Sequence, residues 1–102
     1  MDLREYRNQS LFEGWLGSVP PERIAAAKEA VQRLIDQLIE LGPKPDDTAA
    51  RAVVKECVLT FNELNDGWIC TIEREDIFDT ICEAIELCGL SCDEDWLDDR
   101  EW

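Results

Sequence analysis

The feature that most constrains the fold of this chain is a long periodic run of apolar residues from Pro20 to Leu41. Apolar side chains recur every three to four positions, and charged residues occupy the positions between them. That spacing matches the 3.6-residue turn of an α-helix with one buried face. Pro20-Pro21 suits a first helical turn, and Gly42-Pro43 ends the helix. The buried stripe is expected to comprise Ile24, Ala27, Val31, Leu34, Ile35, Leu38 and Leu41.

Two later segments show the same periodicity. Counting a short N-terminal helix as the first and Pro20–Leu41 as the second, a third helix is expected to start at Pro45-Asp46-Asp47-Thr48 and to stop at Asn65-Asp66-Gly67. Its broad apolar face, which includes Leu59, indicates a central helix packed on two sides. A fourth is expected to start with Thr71 as its N-cap and to end near Gly89. Its buried stripe is expected to comprise Ile72, Ile77, Phe78, Ile81, Ile85 and Cys88.

The two ends of the chain are less regular. Residues 2–16 predict a short amphipathic helix or two turns, and residues 91–102 predict a short acidic helix. A chain of 102 residues is long enough for one core and too short for two. We therefore expect a single all-α domain over residues 1–102, built as a small bundle of about four main helices with a short N-terminal helix and an acidic C-terminal segment.

Negative charge is concentrated in the last third of the sequence. The chain has 24 acidic and 10 basic residues, for a net charge of −14. Residues 73–102 contain twelve of the acids against Arg74 and Arg100, which is −10 of the total. A field of this sign repels nucleic-acid phosphates and anionic lipid, and it attracts basic surfaces. We predict a basic protein partner, and neither direct nucleic-acid binding nor membrane binding.

The sequence has few of the residues from which catalytic and cofactor sites are built. It has no histidine, no phosphate-binding glycine loop and no paired zinc-ligand spacing. An EF-hand counted from Asp93 would need glycine where Asp98 stands. Acids at the start of the fourth helix are better explained by the helix dipole than by acid–base catalysis. We predict no catalytic residue, no cofactor and no metal site.

The five cysteines are Cys57, Cys70, Cys82, Cys88 and Cys92. An odd number without a CxxC motif or a secretion signal is typical of reduced thiols, and the chain has no apolar run of about 20 residues to cross a membrane. We therefore expect a cytoplasmic protein whose cysteines pack as small hydrophobic residues. The alternatives are one disulfide, a metal site or redox chemistry.

Four tryptophans complete the candidate site. Trp15 and Trp68 are expected to cap the core. Trp96 and Trp102 stand among acids, where they either fold back onto the core or anchor a partner. The predicted partner-binding residues are Glu73, Glu75, Asp76, Asp79, Glu83, Glu86, Asp93, Glu94, Asp95, Trp96, Asp98, Asp99 and Trp102.

Residues 61–65 (FNELN) and 71–77 (TIEREDI) resemble a run found in short uncharacterised bacterial proteins, a resemblance that covers about a fifth of the chain and implies no activity. At the level of class, small size, helices and acidity are similar to immunity proteins that neutralise basic toxins. They are equally similar to DNA-mimic inhibitors, including phage anti-restriction and anti-CRISPR proteins. We expect an inhibitor or immunity-type protein. A DNA mimic and a homodimeric structural or adaptor protein are the alternatives.

Overall fold

The computed structural model describes residues 2–9, 11–65 and 67–102, and over these ranges it contains α-helices and no β-strand. The predicted small all-α bundle is confirmed. Within these ranges, none of its helices is both long enough and apolar enough to cross a membrane. Its elements are α1 (Leu3–Arg7), a 3-10 turn (Glu13–Trp15), α2 (Pro21–Leu41), α3 (Asp47–Leu64), α4 (Thr71–Leu87) and a C-terminal 3-10 turn (Glu94–Leu97).

The helix boundaries agree with the sequence signals to within a residue. Pro20 is the N-cap of α2 rather than its first residue, and Gly42 follows its last turn with a φ of 86°. The turn predicted at residues 65–67 includes Asp66, which lies outside the described residues. Thr71 was wrongly predicted as the N-cap of α4, because Cys70 holds that position. Its backbone N–H donates to Glu73 Oε1 at 3.0 Å, as in a capping box.

The bundle is organised around α2, which packs against α1, α3 and α4. The third helix was predicted to be central and packed on two sides. It does pack on two sides, between α2 and the C-terminal 3-10 turn, but α2 is the helix that contacts the other three. The uninterrupted apolar stripe of α2 explains its position, since a long helix with a continuous buried face offers the most area to its neighbours. The largest fully buried side chains are Trp15, Phe61, Leu34, Ile35, Leu38, Ile77, Ile81, Ile85, Leu97, Val31, Val54 and Val58.

Three residues predicted to lie in buried stripes are exposed: Leu41, Leu59 and Ile72. Leu41 is the last residue of α2 and extends beyond its neighbours. Ile72 precedes Ile77 by five residues, which puts the two side chains about 140° apart around the helix. Its side chain therefore points away from the core, and a helical wheel drawn through Ile77 would have shown this.

An aromatic cluster closes one end of the bundle. The rings of Phe12 and Trp15 stack at 4.1 Å between centroids, and Trp68 meets Trp15 edge-on at 5.7 Å. Trp15 is buried, and Trp68 packs on the core while its Nε1 donates to the Leu64 carbonyl at 2.7 Å. The prediction that both tryptophans cap the core is confirmed.

A candidate acidic interface

The exposed side of α4 carries a row of carboxylates that we call the α4 ridge: Glu75, Asp79, Glu83 and Glu86. Spacings of four, four and three residues keep these side chains on one side of the helix. Eleven residues at 1.5 Å each make the row about 16 Å long. The opposite side of the helix buries Ile77, Ile81, Ala84 and Ile85 in the core. The ridge is therefore fixed on a rigid element.

Two other acids predicted to bind a partner are already used inside the fold. Asp76 Oδ2 accepts a hydrogen bond from Trp15 Nε1 at 2.9 Å, and this bond ties the aromatic cluster to α4. Glu73 caps its own helix through the Cys70 N–H. Both side chains are half-buried. Both carboxylates are engaged in hydrogen bonds within the chain, so the ridge carries most of the unengaged charge of α4.

The C-terminal acids lie on a segment that is packed rather than frayed. Asp93 caps the 3-10 turn by accepting from the Asp95 N–H at 3.0 Å. Asn62 on α3 holds the chain end, because its Oδ1 accepts from Glu101 N–H at 2.8 Å and its Nδ2 donates to the Asp99 carbonyl at 2.9 Å. The predicted partner-binding acids of this segment, all exposed, are Asp93, Glu94, Asp95, Asp98 and Asp99.

Trp96 and Trp102 were included among the predicted partner-binding residues, with folding back onto the core as the alternative, and the structure shows that alternative. They are only 5% and 9% exposed, respectively. Trp96 Nε1 donates to the Ser91 carbonyl at 3.0 Å, and the Arg51 guanidinium lies 4.3 Å from its ring. Trp102 meets Phe61 edge-on at 6.0 Å. Burial of a large aromatic surface outweighs the acidic sequence around each ring, so both tryptophans fasten the segment to α3.

Cys82 of α4 and Cys92 of the C-terminal segment form a disulfide. The expectation of five reduced thiols is therefore wrong for this pair. Cys57 and Cys88 are buried, as predicted, and Cys70 is exposed. Burial raises the pKa of Cys57 to about 12 and also raises that of Cys88, so neither is a thiolate at neutral pH. The disulfide holds the acidic segment beside the α4 ridge.

The ridge and the C-terminal segment meet at a shallow cleft of about 280 Å³. Glu75 and Asp79 of the ridge line it together with Glu94. Both arginines of residues 73–102 line it too, and the Arg100 guanidinium lies 5.6 Å from the centroid of the Phe78 ring. The few positive charges of this region are therefore gathered at one cleft. Outside the cleft, Arg51 of α3 lies near Asp93 and Asp95.

Although Arg74 and Arg100 lie at the cleft that Glu75 and Asp79 line, the ion pairs of the described ranges include no ridge carboxylate. They join Arg7 to Asp36, Arg33 to Glu29 and Arg51 to Asp47. Within those same ranges, no three His, Cys, Asp or Glu side chains are grouped so as to hold a metal ion. What the arrangement offers chemically is a fixed surface of negative charge.

Sequence reasoning did not identify the residues that position this surface. These residues join the C-terminal segment to helices that are distant in sequence or lie across a chain reversal. They are Asn62, Arg51 and the Cys82–Cys92 pair. Comparisons of this chain with protein-family models, with curated proteins and with solved structures find no match.

Proposed function

We propose that this protein is a small non-catalytic inhibitor or immunity-type protein that binds a basic protein, such as a toxin or nuclease. The observation that carries the proposal is the α4 ridge, whose carboxylates form no ion pair within the described ranges, with exposed C-terminal acids fastened beside it. Together they form one acidic face on rigid elements. Trp96 and Trp102 are buried and are not part of this face. Glu73 and Asp76 contribute little to it, because both accept hydrogen bonds from within the chain.

Electrostatics supports a fast and selective encounter through this face. A surface lined by charges of one sign raises the association rate with a complementary partner by about 10- to 1000-fold at low salt. Like-charged partners are rejected at the same surface, which contributes specificity. Carboxylates on an ordered helix also cost less backbone entropy on binding than carboxylates on a disordered tail.

The proposal is tested by binding to a panel of purified basic nuclease domains in low and high salt. We expect affinity to fall steeply with salt. The variant E75Q/D79N/E83Q/E86Q removes the charge of the α4 ridge and should abolish most of the salt dependence of the affinity. The matched control changes four exposed acids elsewhere, E29Q, E40Q, E56Q and E63Q, and so lowers the net charge equally. Equal loss of binding in both variants, or a complex insensitive to salt, would contradict the proposal.

DNA mimicry is the second candidate, and the regular spacing of the ridge favours it. Four carboxylates in about 16 Å give one charge per about 5 Å, against one per about 3.4 Å along a B-DNA strand. A partner that normally grips phosphates would then bind the ridge in its nucleic-acid site. Competition separates the two candidates. A duplex oligonucleotide should displace a DNA mimic from its partner, whereas an inhibitor bound at another surface should form a ternary complex.

We propose the cytoplasm as the place of this encounter, because intracellular nucleases and toxins act there. The Cys82–Cys92 disulfide argues against that compartment, since the glutathione pool keeps most cytosolic thiols reduced. The thiol state of the protein isolated from cells decides between them. A thiol-trapping gel shift should show Cys82 and Cys92 alkylated if the protein is cytoplasmic, and protected from alkylation if it occupies an oxidising compartment.

A further inference from the structure

Two large aliphatic side chains are strongly exposed at one end of the acidic face. Leu16 is 71% exposed and Ile72 is 67% exposed. Among the described residues, the other exposed large hydrophobic side chains are Leu59 and Leu41, at 43% and 38%. Single exposed aliphatic residues are common on protein surfaces. The position of these two relative to the ridge is what distinguishes them.

Both residues flank the hydrogen bond that joins the N-terminal segment to α4. Ile72 lies one helical turn before Asp76, which accepts from Trp15 Nε1. Leu16 directly follows Trp15, whose own ring is buried. Trp68, three residues before the start of α4, packs edge-on against Trp15. The two exposed residues therefore belong to the same end of the bundle, and of the two only Ile72 lies on α4 with the ridge.

Ile72 also continues the line of the α4 ridge. It precedes Glu75 by three residues and Asp79 by seven, the spacing at which side chains share one side of a helix. A surface that approaches the ridge carboxylates along the helix would therefore meet Ile72 at the N-terminal end of the row. The buried tryptophans of the C-terminal segment offer no such contact.

We propose that Ile72 is the apolar anchor of the acidic face, and that the occupant is a basic amphipathic helix. This rests on the proposed function and names its partner chemistry. Lysines or arginines of the partner helix would face the ridge while one aliphatic side chain covers Ile72. Charge complementarity selects such a partner, because an apolar segment without basic residues leaves the ridge unneutralised, and a purely basic one leaves Ile72 in water. Interfaces commonly combine an apolar anchor with a charged surround in this way.

The test uses two synthetic helical peptides with the same number of lysines. One carries leucines along its apolar side, and the other carries serines at those positions. Their dissociation constants are measured by titration calorimetry, in low and high salt, against the wild-type protein, I72S, the E75Q/D79N/E83Q/E86Q ridge variant and the matched control L59S. The last of these changes an exposed aliphatic residue on α3. Thermal melts establish that each variant is folded. Each of the two peptides is measured with the wild type and with I72S, and these four dissociation constants form a double-mutant cycle.

We expect I72S to weaken the leucine peptide about five- to tenfold, the effect of leaving most of one aliphatic contact in water. The serine peptide should change less than twofold, and L59S should change neither peptide. Equal weakening of both peptides by I72S, or the same effect from L59S, overturns the anchor. If both peptides bind alike and both remain salt-sensitive, the anchor fails while the acidic face stands. If neither peptide responds to the ridge variant, the proposed function fails as well.

Discussion

Reduction of the Cys82–Cys92 disulfide should destabilise the fold without dismantling it. The bond joins α4 to the C-terminal segment, which is also held by the buried rings of Trp96 and Trp102 and by Asn62. These contacts do not require the sulfur–sulfur bond, so the reduced protein should keep its helices. What reduction changes is chiefly the unfolded chain, which regains the freedom that the cross-link had removed.

The loop length sets the size of the effect. The two cysteines are ten residues apart, which corresponds to a loop-closure entropy of about 9 cal/mol/K and about 2.7 kcal/mol at 25 °C. An unfolding entropy of about 2.1 cal/mol/K per residue gives about 0.21 kcal/mol/K for a chain of 102 residues. The expected fall in Tm on reduction is therefore about 12 °C.

Urea unfolding, followed by circular dichroism with and without a phosphine reductant, measures the corresponding loss of unfolding free energy. A C70S background prevents exchange with the exposed thiol of Cys70. The control is the C82S/C92S double variant, which should unfold at the same urea concentration in both conditions. Equal free energies of unfolding for the oxidised and reduced proteins would refute the reasoning, and so would a reductant effect of the same size in the double variant.

Three further changes follow from single contacts. W15F removes the donor to Asp76 and should cost about 1 to 3 kcal/mol of unfolding free energy, while D76N, which keeps an acceptor, should cost less; urea melts check both. C70S puts a better N-cap acceptor at the start of α4 and should stabilise by about 0.5 to 1 kcal/mol, whereas C70A should not; a fall in Tm for C70S would contradict this. Burial raises the pKa of Tyr6 to about 12, so the folded state keeps a phenolic proton that the unfolded state loses above about pH 10. The free energy of unfolding therefore falls as the pH rises from about 10 to about 12. The stability difference between wild type and Y6F should therefore narrow by about 1 kcal/mol from about pH 9.5 to about pH 11, and a constant difference would exclude the effect.

The helices could be predicted because their determinants are local. The α2 stripe, the glycine and proline stops and the acidic N-termini act within a turn or two of the chain. Burial on the irregular segments depends instead on where the chain returns in space. Trp96 and Trp102 stand among acids in the sequence, and only the surface of α3 beneath them explains why they are buried.

The disulfide could have been predicted from geometry that the cysteine count conceals. The chain reverses at Gly89, where φ is 94°. From Cys82 to the end of α4 at Leu87, five helical residues rise about 8 Å. Three residues beyond the turn at Gly89 can span about 10 Å in the return direction. The two cysteines therefore come level with each other, although the odd total of five favoured free thiols.

The same acidic charge that is proposed to bind a partner must oppose the fold that displays it. The molecule measures 37 × 27 × 17 Å and carries a net charge of −14. In about 0.01 M salt the Debye length is about 30 Å, so acids across the whole molecule repel one another, whereas in about 1 M salt it is about 3 Å. Added sodium chloride should therefore raise the Tm while it weakens the complex with a basic partner. Neutralising the α4 ridge should raise the Tm most at low salt, for the same reason. A Tm that falls on adding salt would mean that attractive pairs such as Arg51–Asp47 outweigh the repulsion. In that case the Cys82–Cys92 disulfide would not be needed to hold the acidic segment against repulsion.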